Sequence, residues 1–362
     1  MKKQILFLAL VFCSSLAFAQ SKQESANARA RIAINLMDEG KIDESITILK
    51  ECVKMDKGNY LYPYEIGYAY TLKGEHKTAE KYFKQAAAFK YSSAQCYQAL
   101  GNCYSYQGNP QKAIKTYEAG MERYPDAGNL HLEKGNIFLM NKRYDAAAYN
   151  YKNGIKADPE FSSNYYRLAL LYLSSKDILS GTIYTELFFN LEPDSDRARQ
   201  LGKYFFDAFK KNITFTTVND STSKAKVDMC ENTIYLSEKS SPEDFVKNIP
   251  LCVYWGAPFS IGVALENEIT VASLNRIRTT FIKHYFGESK LENPKNVLFD
   301  FHKRIADAGH FEAYNYFIFR NADDKTFDEW KEKNEEKFEA FIEWINEPQN
   351  HIEINKTNYY IN

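Results

Sequence analysis

Several things are scarce in this sequence, and each scarcity removes a class of function. No basic excess marks either half: the 362 residues carry a formal charge of −1, Gln20–Lys211 stands at +4 and Asn212–Asn362 at −7. Neither value suits a nucleic-acid surface, so no nucleic-acid partner is expected. Beyond the N-terminus there is no apolar run of the roughly 20 residues that a membrane span requires, so no permanent anchor is expected. Nucleophile elbow, HExxH, phosphate loop and CxxC are all missing, which leaves no recognisable catalytic, metal or cofactor motif. Only six cysteines occur, at spacings that suit no metal. Cys96 and Cys103 lie seven apart on one expected helix, roughly 10 Å along its axis and beyond the roughly 7 Å reach of a disulfide. Cys230 and Cys252 are free to pair in an oxidising compartment, and the sequence leaves that pairing open.

What is present begins with a secretory signal. Lys2 and Lys3 form a basic start, Ile5–Phe12 an apolar run, and Ala17-Phe18-Ala19 a small-x-small cleavage site. Phe12 before Cys13 argues against a lipoprotein signal. The mature chain is therefore expected from Gln20, exported into a bacterial periplasm, with full secretion as the alternative.

From Ala26 the sequence repeats every 34 residues. Gly67, Gly101, Gly135 and Ala169 hold one small position, and Tyr70, Tyr104, Phe138 and Tyr172 follow three residues later. Ala79, Ala113, Ala147 and Gly181 hold a second small position; Phe83, Tyr117 and Tyr151 hold a large one, and Pro125, Pro159 and Pro193 close successive units. Small-against-large pairing lets two antiparallel helices approach closely, and proline ends the second of them. The spacing resembles the tetratricopeptide repeat. It gives units Ala26–Asn59, Tyr60–Ser93, Ala94–Ala127, Gly128–Phe161 and Ser162–Ser195. In the fifth, Thr185 replaces the large aromatic and Phe188 a small residue, so its packing on the next part of the chain should differ. Asp196–Lys211, with Ala198, Leu201, Phe205 and Phe209 at helical spacing, reads as a helix covering the end of the stack.

The fold expected is all-α: a signal at 1–19, a right-handed α–α superhelix with its end-cap over 20–211, and a mostly helical domain of unassigned type over 212–362. In that last part Ile213–Val218 and Thr233–Leu236 suggest a small hairpin or an irregular junction, and Ser241-Pro242-Glu243-Asp244 a helix start. Further helices are expected over Thr270–Phe286, Pro294–Ala308, Phe311–Arg320 and Thr326–Asn346. Trp255-Gly256-Ala257-Pro258 reads as a helix stop with a buried tryptophan, and Asn355–Asn362 as a loosely held tail.

The resemblance implies a concave groove lined by first helices that binds a protein or peptide partner, without catalysis. Its expected lining is Tyr64, Tyr68, Asn102, Tyr106, Leu132, Asn136, Met140, Tyr166 and Arg167, with Leu139 and Leu173 nearby. Asn102 and Asn136 take the place from which asparagines hold peptide backbones in that family, since one amide offers both donor and acceptor. Arg167 matches the arginine of the family's carboxylate clamp, but Gln98, Leu132 and Ser163 stand where its lysines would be. A largely apolar, aromatic groove favours an amphipathic helix or extended peptide. The competing reading is an enzyme or small-molecule binder in Asn212–Asn362, with the repeats as docking arm; its only candidates are His284, His302, His310 and Asp300. Self-assembly is a third class, and the oligomeric state stays open.

Overall fold

The computed structural model describes residues 22–219, 222–230, 250–287, 293–322 and 324–362. The signal-like segment, the run Thr233–Leu236 and the helix start at Ser241 lie outside the described residues. Among the described residues the fold is all-α apart from one hairpin, and the chain divides into two compact units, the first running to Ala147 and the second from Ala148 to Asn362. That division falls within the fourth repeat, whereas composition changes at Lys211/Asn212.

The first unit is built from helix pairs: α1 (22–38) with α2 (Ile42–Met55), α3 (Leu61–Leu72) with α4 (His76–Ala87), and α5 (Ala94–Tyr106) with α6 (Pro110–Arg123). After them come α7 (Gly128–Met140) and the start of α8 (Tyr144–Ala157). The 34-residue spacing has two visible causes. One is the close approach within a pair: a Cβ on Gly101 would sit 2.1 Å from the Tyr117 ring, and one on Gly67 2.8 Å from that of Phe83. The other is the turn. Gly40, Gly74, Gly108 and Lys142, each 34 residues apart, adopt left-handed φ values of 80°, 73°, 73° and 57°. In each turn the next residue's amide reaches back to the preceding helix, as from Glu75 to the Tyr70 carbonyl and from Asn109 to that of Tyr104 (both 2.9 Å). Such closures satisfy carbonyls that a helix end leaves unpaired, and glycine fills the left-handed position at no steric cost. Helices α6, α8 and α10 each end two residues before Pro125, Pro159 and Pro193.

The second unit gathers α9 (Ser162–Leu173), α10 (Ile178–Leu191), α11 (Asp196–Asn212) and the hairpin β1 (Ile213–Asn219) with β2 (Thr222–Val227). Helices α12 (Leu251–Val263), α13 (Val271–Tyr285), α14 (Val297–Asp307), α15 (Phe311–Ile318), α16 (Asp324–Lys333) and α17 (Glu335–Asn346) complete it. Its centre is α10, buried at every position from Ile178 to Phe189 and packed against α9, α11 and α14. Thr185 and Phe188 are the departures that made this second helix fit a closed environment: Phe188 packs on Tyr166 and Phe189, and Thr185 turns its hydroxyl to the Gly181 carbonyl (2.7 Å). Ala198, Leu201, Phe205 and Phe209 of α11 are buried as expected, and Phe205 stacks on Phe319 at 4.9 Å.

Three expectations for this half change. Trp255–Pro258 lies inside α12 and is no helix stop, although Trp255 is buried and stacked on Phe259 at 4.1 Å. The expected helix Thr326–Asn346 is two helices, broken where Asn334 leaves helical geometry at φ −133°. The tail is not loose: the Tyr360 hydroxyl lies 3.1 Å from that of Ser180, and Tyr184 donates to the Asn362 side chain at 2.9 Å. The small hairpin expected at Ile213 is present, β1 pairing with β2. Thr270 caps α13 through a reciprocal pair of hydrogen bonds with Ser273, and Asn296 caps α14. Cys230 and Cys252 form a disulfide, while Cys52, Cys96 and Cys103 are free and buried. Among the described residues no helix is long and apolar enough to cross a membrane.

Candidate functional site

In the first unit the 34-residue period places corresponding side chains of successive first helices in rows. Leu61, Glu65, Tyr68 and Leu72 share one face of α3, because i, i+4, i+7 and i+11 fall along one helical stripe. Stepping forward gives Gln95, Ala99, Asn102 and Tyr106 on α5, then Asn129, Glu133, Asn136 and Met140 on α7. The outermost row is apolar and open: Leu72, Tyr106 and Met140 are 47%, 63% and 77% exposed. Among the described residues, half of the exposed large apolar side chains are on first helices, namely Ile32, Ile34, Leu61, Tyr68, Leu72, Tyr106 and Met140. The two middle rows, Glu65–Ala99–Glu133 and Tyr68–Asn102–Asn136, carry the polar side chains of this face, and around Glu133 these are organised by hydrogen bonds. Asn129 donates to Gln98 at 2.7 Å, Gln98 to Glu133 at 2.9 Å, and Asn136 to the other Glu133 oxygen at 3.2 Å.

The expected lining is therefore only partly accessible. Tyr68, Tyr106 and Met140 are exposed as a binding face requires. Tyr64 is half-buried with its ring 5.7 Å from Phe83, and burial, then the neighbouring Glu65 charge, pushes its hydroxyl up to about 12. Asn102 is held from behind, its oxygen accepting from the Tyr117 hydroxyl at 2.5 Å, while Leu132 is buried and offers no surface. In the second unit Tyr166 is half-buried against Phe188 and under the Arg197 guanidinium, and half-buried Arg167 makes no hydrogen bond or ion pair among the described residues. Gln98, at a lysine position of the carboxylate clamp, is committed to Glu133 and Asn129. Glu65 was not among the expected lining residues, although its spacing from Glu133, two periods away on a helix face, was readable.

Two family models match the chain, both described as tetratricopeptide repeat, over residues 64–90 and 99–160. The chain carries a tetratricopeptide-repeat array. No family model matches its C-terminal half. Human protein O-mannosyl-transferase TMTC1 is 21% identical over 188 residues, covering 51% of this chain and 21% of that protein. The bovine BBSome complex member BBS4 is 27% identical over 143 residues, or 37% and 26% of the two chains. The chain thus spans about a fifth to a quarter of the length of these two curated relatives. Among solved structures, pilF of Pseudomonas aeruginosa superposes with a TM-score of 0.44 at 16% identity, covering 53% of this chain and 86% of that one. The type IV pilus biogenesis factor PilW gives 0.42 at 16% identity, covering 51% and 85%.

The histidines expected as an alternative centre do not come together. His284 is exposed, His310 precedes α15, and His302 is buried with partners from elsewhere in the chain. Those partners surround Glu186 of α10. Arg278 donates to both carboxylate oxygens at 2.9 and 2.7 Å, the Tyr314 hydroxyl donates at 2.8 Å, and His302 Nε2 hydrogen-bonds to the same carboxylate. Tyr314 accepts in turn from Asn190 at 2.9 Å. Burial alone would raise the Glu186 carboxyl, but the Arg278 charge and these hydrogen bonds outweigh it and hold the group well below the usual range. Burial also dominates at His302, outweighs the pull of Glu186, and keeps the imidazole below its ordinary 6.5. Because an ionised carboxylate only accepts, Nε2 of His302 is the donor in this contact, and Arg278 Nη2 lies 3.2 Å from the same nitrogen. A cavity of about 30 Å³ adjoins the cluster, the scale of a water molecule or two.

Both shifts have the same consequence for stability. A group whose folded pKa is depressed contributes stability above its unfolded pKa and loses it as pH falls. The second unit is expected to weaken first below about pH 6.5, through His302, and further below about pH 4.3, through Glu186. His302→Gln, which keeps a donor to Glu186, should flatten the upper decline and leave the lower one. Urea midpoints read by tryptophan fluorescence between pH 7.5 and 3.5 check this; an unchanged upper decline would refute the assignment to His302.

Proposed function

We propose that this chain is an exported scaffold that binds a protein or peptide partner along the first helices of its repeat array, without turnover. The observation that carries the reading is the row Leu72, Tyr106 and Met140. An apolar side chain left open at the same position of three successive repeats is a surface suited to a partner, and exposed Leu61 and Tyr68 on α3 add to it. Beside it Asn102 and Asn136, at the same position of successive first helices, supply register, Asn102 held from behind by Tyr117 and Asn136 donating to Glu133 on its own face. Arg167 is proposed to offer a partner contact from the fifth repeat. Export is supported by the signal-like Met1–Ala19 and by the Cys230–Cys252 disulfide, a bond that persists in oxidising compartments.

The test is a displayed library of random dodecamer peptides selected on the intact chain. Peptides so recovered should bind at least about tenfold more weakly to Tyr68→Ser/Tyr106→Ser/Met140→Ser, since a few buried aromatic anchors carry most of an interface's energy. Smaller losses are expected for Asn102→Ala, Asn136→Ala and Arg167→Ala. Binding that survives the triple substitution in a folded protein would refute the groove.

A further inference from the structure

The charges on the array are sorted by face. Among the 38 residues of α3, α5 and α7, the charged side chains are Glu65, Glu133 and Lys134. Lys134 points away, pairing with Glu118 of α6 at 2.8 Å. Second helices α4 and α6 carry six basic side chains against three acidic ones. The repeat segment is basic as a whole, yet its first-helix face presents two carboxylates and no cation over these three helices.

The two carboxylates differ from surface glutamates. Glu133 is oriented by Gln98 and Asn136, which occupy one acceptor site on each oxygen and leave the others open. Half-buried Glu65 lies on the same stripe as exposed Leu61 and Tyr68 and makes no hydrogen bond or ion pair among the described residues. Burial raises its carboxyl above the usual carboxylate value, the mark of a negative charge without compensation. Arg31 occupies the equivalent position on α1, but it is exposed and forms no ion pair with Glu65.

We infer that the groove selects a segment carrying lysine or arginine among apolar residues, its cation paired with Glu65 and a second cation with Glu133. This rests on the groove being the binding face. Glu65 and Glu133 are two repeats apart, about 16–20 Å at interhelical spacings of about 8–10 Å. An extended peptide rising about 3.3 Å per residue spans that in five or six residues. The apolar residues of the segment would lie on Leu72, Tyr106 and Met140. A partially desolvated carboxylate surrounded by apolar side chains rewards a cation and penalises an anion, so the discrimination runs in both directions.

The dodecamer library tests this without a known partner. Peptides recovered on the intact chain should be enriched in lysine and arginine and depleted in aspartate and glutamate. Re-synthesised winners should bind about tenfold more weakly to Glu65→Gln, and more weakly still to Glu65→Gln/Glu133→Gln. Selection on Glu65→Lys should shift recovered peptides toward acidic residues. Winners that need Tyr68 and Tyr106 but show no basic enrichment, or bind Glu65→Gln unchanged, overturn the inference while the groove stands. Winners indifferent to Tyr68 and Tyr106 overturn both.

Discussion

Replacing Glu186 with glutamine is expected to destabilise the second unit by about 3–5 kcal/mol, the range for removing one partner of a buried ion pair. The reason lies in the donor count. Arg278 supplies two N–H groups, His302 one and Tyr314 an O–H, all directed at Glu186, and an ionised carboxylate is the one side chain of this size that only accepts. Glutamine keeps the shape but turns an NH₂ group toward those donors and leaves the buried Arg278 charge uncompensated. All three tryptophans, Trp255, Trp330 and Trp344, belong to this unit, so fluorescence-monitored urea unfolding reports on it separately from the first repeats. Glu186→Gln/Arg278→Met should recover most of the loss, because exchanging a whole buried pair for neutral groups is often close to neutral. An unchanged midpoint for Glu186→Gln alone would mean that the Glu186–Arg278 pair does not form.

The same geometry explains why a charge lies in the middle of an otherwise apolar helix. Bidentate pairing is met only when both oxygens face the guanidinium fork, so Glu186 fixes the rotation of α10 against α13. The Arg278 guanidinium is braced in turn between the Phe311 and Phe319 rings, 5.7 and 5.6 Å away.

Much of the first unit was legible because its contacts are local. Gly101 meets Tyr117 sixteen residues later and Gly74 closes a turn on its own helix, so a period of 34 carries the information for packing, turns and helix ends together. The sorting of charge by face was readable in the same way, by stepping from Glu65 to Glu133. In the second unit the decisive contacts are distant: Glu186 meets Arg278, His302 and Tyr314 at separations of 92, 116 and 128 residues, and Tyr184 meets Asn362 at 178. No local pattern encodes such pairs, which is why the tail read as loose and the histidines as a cluster among themselves. One signal was available. Helix α10 carries a single charged residue in fourteen, and a lone carboxylate among buried apolar positions requires a cation from elsewhere.

Reduction of the Cys230–Cys252 disulfide is expected to lower the stability of the second unit by about 3 kcal/mol. The bond joins residues 22 apart, and closing a loop of that length removes about this much conformational freedom from the unfolded chain. Wild-type protein unfolded with and without dithiothreitol should show the difference in its tryptophan-monitored midpoint. Cys230→Ser/Cys252→Ser should start at the lower midpoint and ignore the reductant, since Cys52, Cys96 and Cys103 have no disulfide to lose. The result also bears on where the protein works. A unit that depends on this bond reaches full stability only where thiols oxidise, so its folding would be coupled to export and the repeat array would meet its partner outside the cytoplasm. A wild-type midpoint indifferent to reductant would remove that coupling and leave the signal-like N-terminus as the sole support for export.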